Sequence, residues 1–156
     1  MKNLSVYFLT AALGLSILGG CKKDSDDTAT PAKTKTELLV GKDWVLTDIT
    51  LSQGNTPGAS VYGLVDVCTR DDKYRFATPN AVTVSAGAMA CSTSPTSPGT
   101  WAFASSETKL NLTNVGDALD DGSYNIVELT ETSMKLSATV TQGTITYTTT
   151  GIFVKQ

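Results

Sequence analysis

Three cysteines, no histidine and, beyond residue 36, two pairs of adjacent aspartates bound the chemistry open to this 156-residue chain. Without an imidazole it lacks the commonest general base and the usual partner of a nucleophilic serine or cysteine. Cys68 or Cys91 acting as a nucleophile would need such a base. Two cysteines without histidine also fall short of a zinc ligand set, so no metal and no other cofactor is expected. Asp71 and Asp72 are neighbours that point to opposite faces if they lie on a strand. Asp120-Asp121-Gly122 is ordinary turn chemistry. The run from 117 to 122 misses calcium-loop spacing because Leu119 occupies its third position. Two acids converging in space, as in glycosidases, are the catalytic arrangement left open, and no spacing singles out a pair. The residues read as those of a non-enzyme.

Cys21 has a different chemistry. Lys2 precedes an apolar stretch over residues 4–18, too short to span a bilayer as a helix, and Leu18-Gly19-Gly20-Cys21 follows. A basic start, an apolar segment, two small residues and then cysteine resemble a bacterial lipoprotein signal. The resemblance implies cleavage after Gly20, a thioether-linked diacylglycerol on Cys21 and usually a third acyl chain on the new amino group. Two or three acyl chains give stable anchoring, at about 0.8 kcal/mol per buried CH₂. The expected partner of this end is therefore a membrane, with the folded part soluble.

Loss of residues 1–20 would remove Lys2 and no acid, leaving eleven basic against fifteen acidic residues, a formal −4. A mildly acidic chain without a basic patch argues against nucleic acid as a partner. Residues 21–36 read as a flexible tether, because KKDSDDTATPAKTKT holds no large apolar side chain to offset its ordering entropy. The acids behind Lys22-Lys23 are similar to the export signals that carry some Bacteroidota lipoproteins to the outer face of the outer membrane. The expected location is the outer membrane, on its periplasmic or cell-surface side. Asp27-Thr28-Ala29 resembles that phylum's O-glycosylation motif, which would modify Thr28.

These features need a folded body, and the remaining sequence supplies one. Thr34-x-x-Glu37 before Leu38-Leu39-Val40 predicts a capping box and a short helical turn ended by Gly41. After it, period-two alternation predicts eight strands, over residues 44–51, 73–77, 81–85, 100–104, 109–113, 123–127, 134–140 and 144–154, the last bent at Gly151. Short connections favour an antiparallel meander, and closure into a barrel removes exposed edges. The expected fold is all-β: an eight-stranded antiparallel up-and-down barrel over residues 37–156, entered through a helical turn. Such a barrel is either filled by side chains or holds one small ligand.

Gly41-Lys42-Asp43-Trp44 matches the Gly-x-x-Trp opening strand of lipocalin-like proteins. Cys68, Tyr74-x-Phe76, Asn80, Cys91, Gly99-x-Trp101 and Leu110-x-Leu112 follow in an order that resembles the lipocalin-like lipoprotein family of Bacteroidota. The resemblance covers about residues 38–155 and places Trp44 at the closed end of the barrel. Where the family usually has glycine after the hairpin asparagine, Ala81 stands, which puts the type of that turn in doubt.

With Cys21 assigned to lipid, Cys68 and Cys91 remain in an oxidising compartment with one available pairing, the alternative being two free thiols. If Phe76 pairs with residue 82 or 84 across the Pro79-Asn80 turn, Cys68 comes within one residue of Cys91. Tyr74, Phe76, Trp101, Phe103, Tyr124 and Tyr147 are the expected lining of a ligand cavity, or else simply core. The long connection over residues 52–72 carries an apolar patch, and Tyr62 and Leu64 are expected to fold over the mouth as a lid. Two roles follow from the fold. One is binding of a small apolar or amphipathic ligand in the barrel, which a cavity above about 300 Å³ would favour. The alternative is an accessory lipoprotein acting through its surface, with a packed interior.

Overall fold

The helical turn forms where its cap is encoded. Thr34 Oγ1 accepts the Glu37 N–H at 3.3 Å, and the Glu37 carboxylate accepts the Thr34 N–H at 2.7 Å. This reciprocal cap opens α1 (Lys35–Leu39). Gly41 then takes φ +74° and donates its N–H to the Phe76 carbonyl, turning the chain into the first strand. The structure is a computed structural model and describes residues 31–91, 98–116 and 119–156. The signal over 1–20, Cys21 and Thr28 lie outside the described residues. The folded unit runs from Ala32 to Gln156. All the strands, the disulfide and the buried core lie within it.

Among the described residues nine strands follow α1: β1 (Asp43–Gln53), β2 (Ala59–Ser60), β3 (Lys73–Ala77), β4 (Ala81–Ser85), β5 (Gly99–Ala104), β6 (Lys109–Thr113), β7 (Gly122–Leu129), β8 (Ser133–Gln142) and β9 (Ile145–Lys155). Each pairs antiparallel with its neighbour from β3 to β9, β1 pairs with β3, and β1 also pairs with β9. The result is the expected closed eight-stranded barrel, with the two-residue β2 as an addition inside the first long loop. The bend expected at Gly151 is replaced by a different device. The ladders run through Gly151 in register, while the irregularity falls between Leu46 and Asp48 on β1. The β3–β4 turn, where Ala81 departs from the family pattern, carries a cis peptide between Thr78 and Pro79.

Strand lengths are unequal. β1, β8 and β9 have 11, 10 and 11 residues, whereas β3, β4 and β6 have 5 each. At about 3.3 Å per residue, one wall of the barrel is roughly twice as tall as the other. In the lower part both walls are present and the interior is filled. Trp44 is fully buried there, its indole N–H donating to the Leu39 carbonyl at 2.9 Å beneath α1. That is the closed end the resemblance placed there. Tyr74 meets Phe153 edge-on at 5.7 Å, Phe76 meets Trp101 at 6.2 Å, and Trp101 meets Phe103 at 5.4 Å. Edge-to-face pairs of this kind add about 0.5–1.5 kcal/mol each beyond the area they bury.

Cys68 and Cys91 are bonded, with Cα atoms 5.3 Å apart. Phe76 pairs with Val82 and Tyr74 with Val84, which is the register that brings the two cysteines together. Continuing it past Lys73 and Ser85 sets Asp71 against residues 87 and 88, and its carboxylate accepts the Ala88 N–H at 2.5 Å.

Close packing at Gly99 generates a stability prediction. A Cβ built there would lie 2.6 Å from the Asn114 carbonyl oxygen and 2.7 Å from that of Thr113, both backbone atoms. At Gly122 the nearest atom is 3.9 Å away. Gly99→Ala should therefore lose about 1–3 kcal/mol in urea unfolding. Gly122→Ala should stay within about 0.5 kcal/mol of the parent.

Candidate functional site

Above the aromatic layer the tall wall continues without a facing strand. β1 contributes Leu46 and Ile49, β8 contributes Leu136, Ala138 and Val140, and β9 contributes Thr149, Gly151 and Phe153 to one concave surface. Opposite them stands the β6–β7 connection. Asn114 and Gly116 take positive φ there, and Val115 and Leu119 turn inward at 1% and 3% exposure. Leu119 N–H bonds the Gly116 carbonyl, and the Asp121 carboxylate accepts the Val115 N–H at 3.3 Å. Between the tall wall and this inward-turned loop lies a cleft of about 240 Å³, which Leu119, Asp120 and Tyr124 complete. Val140, at 58% exposure, marks its open rim. A cavity of about 150 Å³ accepts benzene, so by proportion this one takes roughly ten non-hydrogen atoms.

Its walls are mostly aliphatic. Thr149 and Tyr124 bring hydroxyls, and Asp120 is the one charged residue among the described residues that line it. The Tyr124 hydroxyl donates to the Asp120 carbonyl at 2.7 Å. Burial, followed by the negative charges of Asp120 and Asp121, pushes the Tyr124 hydroxyl up to about 12. A second, larger depression of about 430 Å³ lies between the tips of β1–β2 and β8–β9. It is shallow and lined mainly by exposed turn residues, so it encloses nothing.

Of the six aromatic residues expected to line a cavity, the structure places Tyr124 in the cleft wall. Phe76, Trp101 and Phe103 instead pack on one another lower in the barrel, where both walls are complete, and Tyr74 packs against Phe153 without joining the lining. Tyr147 pairs with Val140 and shares its face by register, above the cleft and half-buried. The reason is length: aromatic residues on the short strands can reach only the filled half. Selection by side-chain type passed over Leu46, Ile49, Leu119, Leu136, Ala138 and Phe153. The usable signal was strand length, since residues 44–51, 134–140 and 144–154 already read as the longest alternating runs.

The loop between β1 and β3 does not cover the mouth. Leu64 points to solvent at 85% exposure. Tyr62 turns inward, but its hydroxyl donates to the carbonyls of Leu46 and Arg70 at 3.1 Å and 3.3 Å, and it is not among the residues that line the cleft. The ladder between β1 and β3 ends at Val45–Lys73, which would leave the β1 edge above it unpaired. β2 pairs with Thr50 and Leu51, Val61 N–H bonds the Ile49 carbonyl, and Tyr62 reaches Leu46. Arg70 fixes the arrangement, stacked 5.3 Å over the Tyr62 ring and donating to the carbonyls of Val65 and Gly63. The loop is a seal on the flank of the barrel.

The sequence matches the lipocalin-like domain family over residues 39–136, more than half of the chain, and the protein belongs to that family. No curated protein and no solved structure shows a significant match.

Tyr124 supplies the prediction from this geometry. Its folded pKa lies above the ordinary value of 10, so its contribution to stability is complete below pH 10 and is lost as pH rises through about 12. An alkaline spectrophotometric titration should show a tyrosine ionisation near pH 12 that is lost in Tyr124→Phe. That variant should also unfold less steeply between pH 10 and 12.

Proposed function

We propose that this lipocalin-like protein is held at a membrane, the outer membrane of its cell, by acyl chains on Cys21, and that its barrel binds a small apolar or amphipathic ligand. The anchoring rests on Lys2, the apolar run before Leu18-Gly19-Gly20-Cys21 and the absence of large apolar residues over 22–36. Ligand binding rests on the cleft, an apolar concavity open at one rim and bounded by strands on one side. At about 240 Å³ it is smaller than the roughly 300 Å³ at which drug-sized sites begin. The fitting ligand is slim: a short acyl chain or one small ring. No catalytic step is assigned, and the ligand leaves as it entered.

The filled lower half of the barrel favours a second reading, in which the interior is scaffold and the surface meets a partner. Titration with 1-octanol separates the two. It should bind the mature chain (residues 21–156, Cys21→Ser) and shift the methyl resonances of Leu119, Leu136 and Val140 in NMR spectra. Ala138→Trp, which puts an indole into the cleft, should abolish those shifts while the protein stays folded by circular dichroism. Equal shifts in that variant would leave the scaffold reading. For the anchor, Cys21→Ser in the full chain should end partitioning into detergent; unchanged partitioning would refute lipidation.

A further inference from the structure

We propose that the cleft selects a cationic amphiphile, an amine whose short apolar chain lies against β8 and β9 and whose ammonium sits at the Asp120 carboxylate. The inference rests on the cleft being a ligand site and names the class of its ligand. Seven of the lining side chains offer only carbon, so the polar end of an amphipathic guest must lie at the rim. What waits there decides its charge. Asp120 comes from the loop and Thr149 from the tall wall, and Tyr124 adds a ring on which a cation can rest. Asp121 adds a second negative charge beside them, close enough that both carboxylates oppose ionisation of the Tyr124 hydroxyl.

None of the nine described basic side chains lines the cleft, and six of them are committed elsewhere. Lys33 pairs with Glu131 and Arg75 with Asp43, while Lys35 donates to the Glu107 carbonyl, all at the closed end. Lys42 lies over Trp44 at that same end. Lys135 pairs with Glu128 on the outer face, and Arg70 is bound within the flank loop. A fatty acid entering tail-first would bring its carboxylate to Asp120 with no lysine or arginine in the lining to receive it. An alcohol would find a hydroxyl and a carboxylate acceptor but no charge complement. An ammonium finds an opposite charge, and its remaining N–H groups have the Thr149 hydroxyl within the same cleft. Because Asp120 is exposed, the gain is that of a rim ion pair, a few-fold in affinity and sensitive to salt.

The test compares n-octylamine, 1-octanol and octanoic acid, each of about nine or ten non-hydrogen atoms, the size the cleft accepts. They are titrated at pH 7 into the mature chain (residues 21–156, Cys21→Ser), at low salt and again in about 0.5 M NaCl, where charges are screened beyond a few ångströms. Octylamine should bind about fivefold more tightly than octanol, with octanoate weakest, and added salt should narrow the spread. In Asp120→Asn the ratio of amine to alcohol should fall towards one. Asp66→Asn, which removes an exposed charge on the flank loop, should leave the ratio as it is. Octanoate binding as tightly as octylamine, or an undiminished ratio in Asp120→Asn, would overturn the amine while the cleft stands as a ligand site. Failure of all three to bind would overturn both.

Discussion

The pairing of β1 with β9 is the constraint on which the rest of the barrel depends. It runs from Trp44 opposite Lys155 to Gln53 opposite Tyr147, longer than any ladder made by the strands between β3 and β7. It closes the sheet and so leaves no long free edge to pair with another chain. It also commits the barrel to an uneven rim. Strands of ten and eleven residues cannot be matched by strands of five, so the tall wall rises past its partners. Below that level two walls face each other and aromatic rings fill the space. Above it one wall faces a loop, and the space is a cleft.

Two bulges determine which residues reach that cleft. On β1 the register shifts between Leu46 and Asp48, so Thr47 has no partner across the ladder and the parity changes. Ile49 then follows Leu46 to the inside, and Asp48 faces outward, where it accepts a hydrogen bond from Ser60 at 2.6 Å. Strict alternation from Leu46 would have turned Asp48 into the apolar interior, at several kcal/mol for an unpaired carboxylate. On β7 the shift between Ile126 and Glu128 has the same effect. Val127 is left 60% exposed, and Glu128 comes opposite Lys135, 2.7 Å from it on the outer face. That hydrogen bond holds the Glu128 carboxyl below the usual carboxylate range.

These bulges mark where sequence reading stops. Alternation located β3, β4 and β6 to the residue, because short strands between turn residues have no room for a change of parity. The capping box was legible because its two partners are three residues apart and need no tertiary context. The Cys68–Cys91 pairing was legible because a turn of known position fixes the register on both sides. The cleft was not. Its lining depends on which strands outgrow their neighbours, on a parity change at Thr47, and on Leu119 turning inward from a segment that reads as polar turn. Aromatic content drew attention to the half of the barrel where rings are most useful as filling. β2 escaped notice for a related reason: two residues form a strand there only because the β1 edge stands open beside them.

Residues 114–116 and 119–121 join the size of the cleft to its charge. Leu119 narrows the space, and the bonds that hold it inward are made by its immediate neighbours. Asp121 spends one carboxylate oxygen on the Val115 N–H, and the Asp120 carbonyl takes the Tyr124 hydroxyl. With its main chain fixed in this way, Asp120 must present its side chain at the rim rather than inside, where a carboxylate without a partner would be costly. Widening the cleft by moving Leu119 would therefore also shift the acid at its entrance. Residue length on one side and a hydrogen-bonded turn on the other set both what can enter and how its polar end is received.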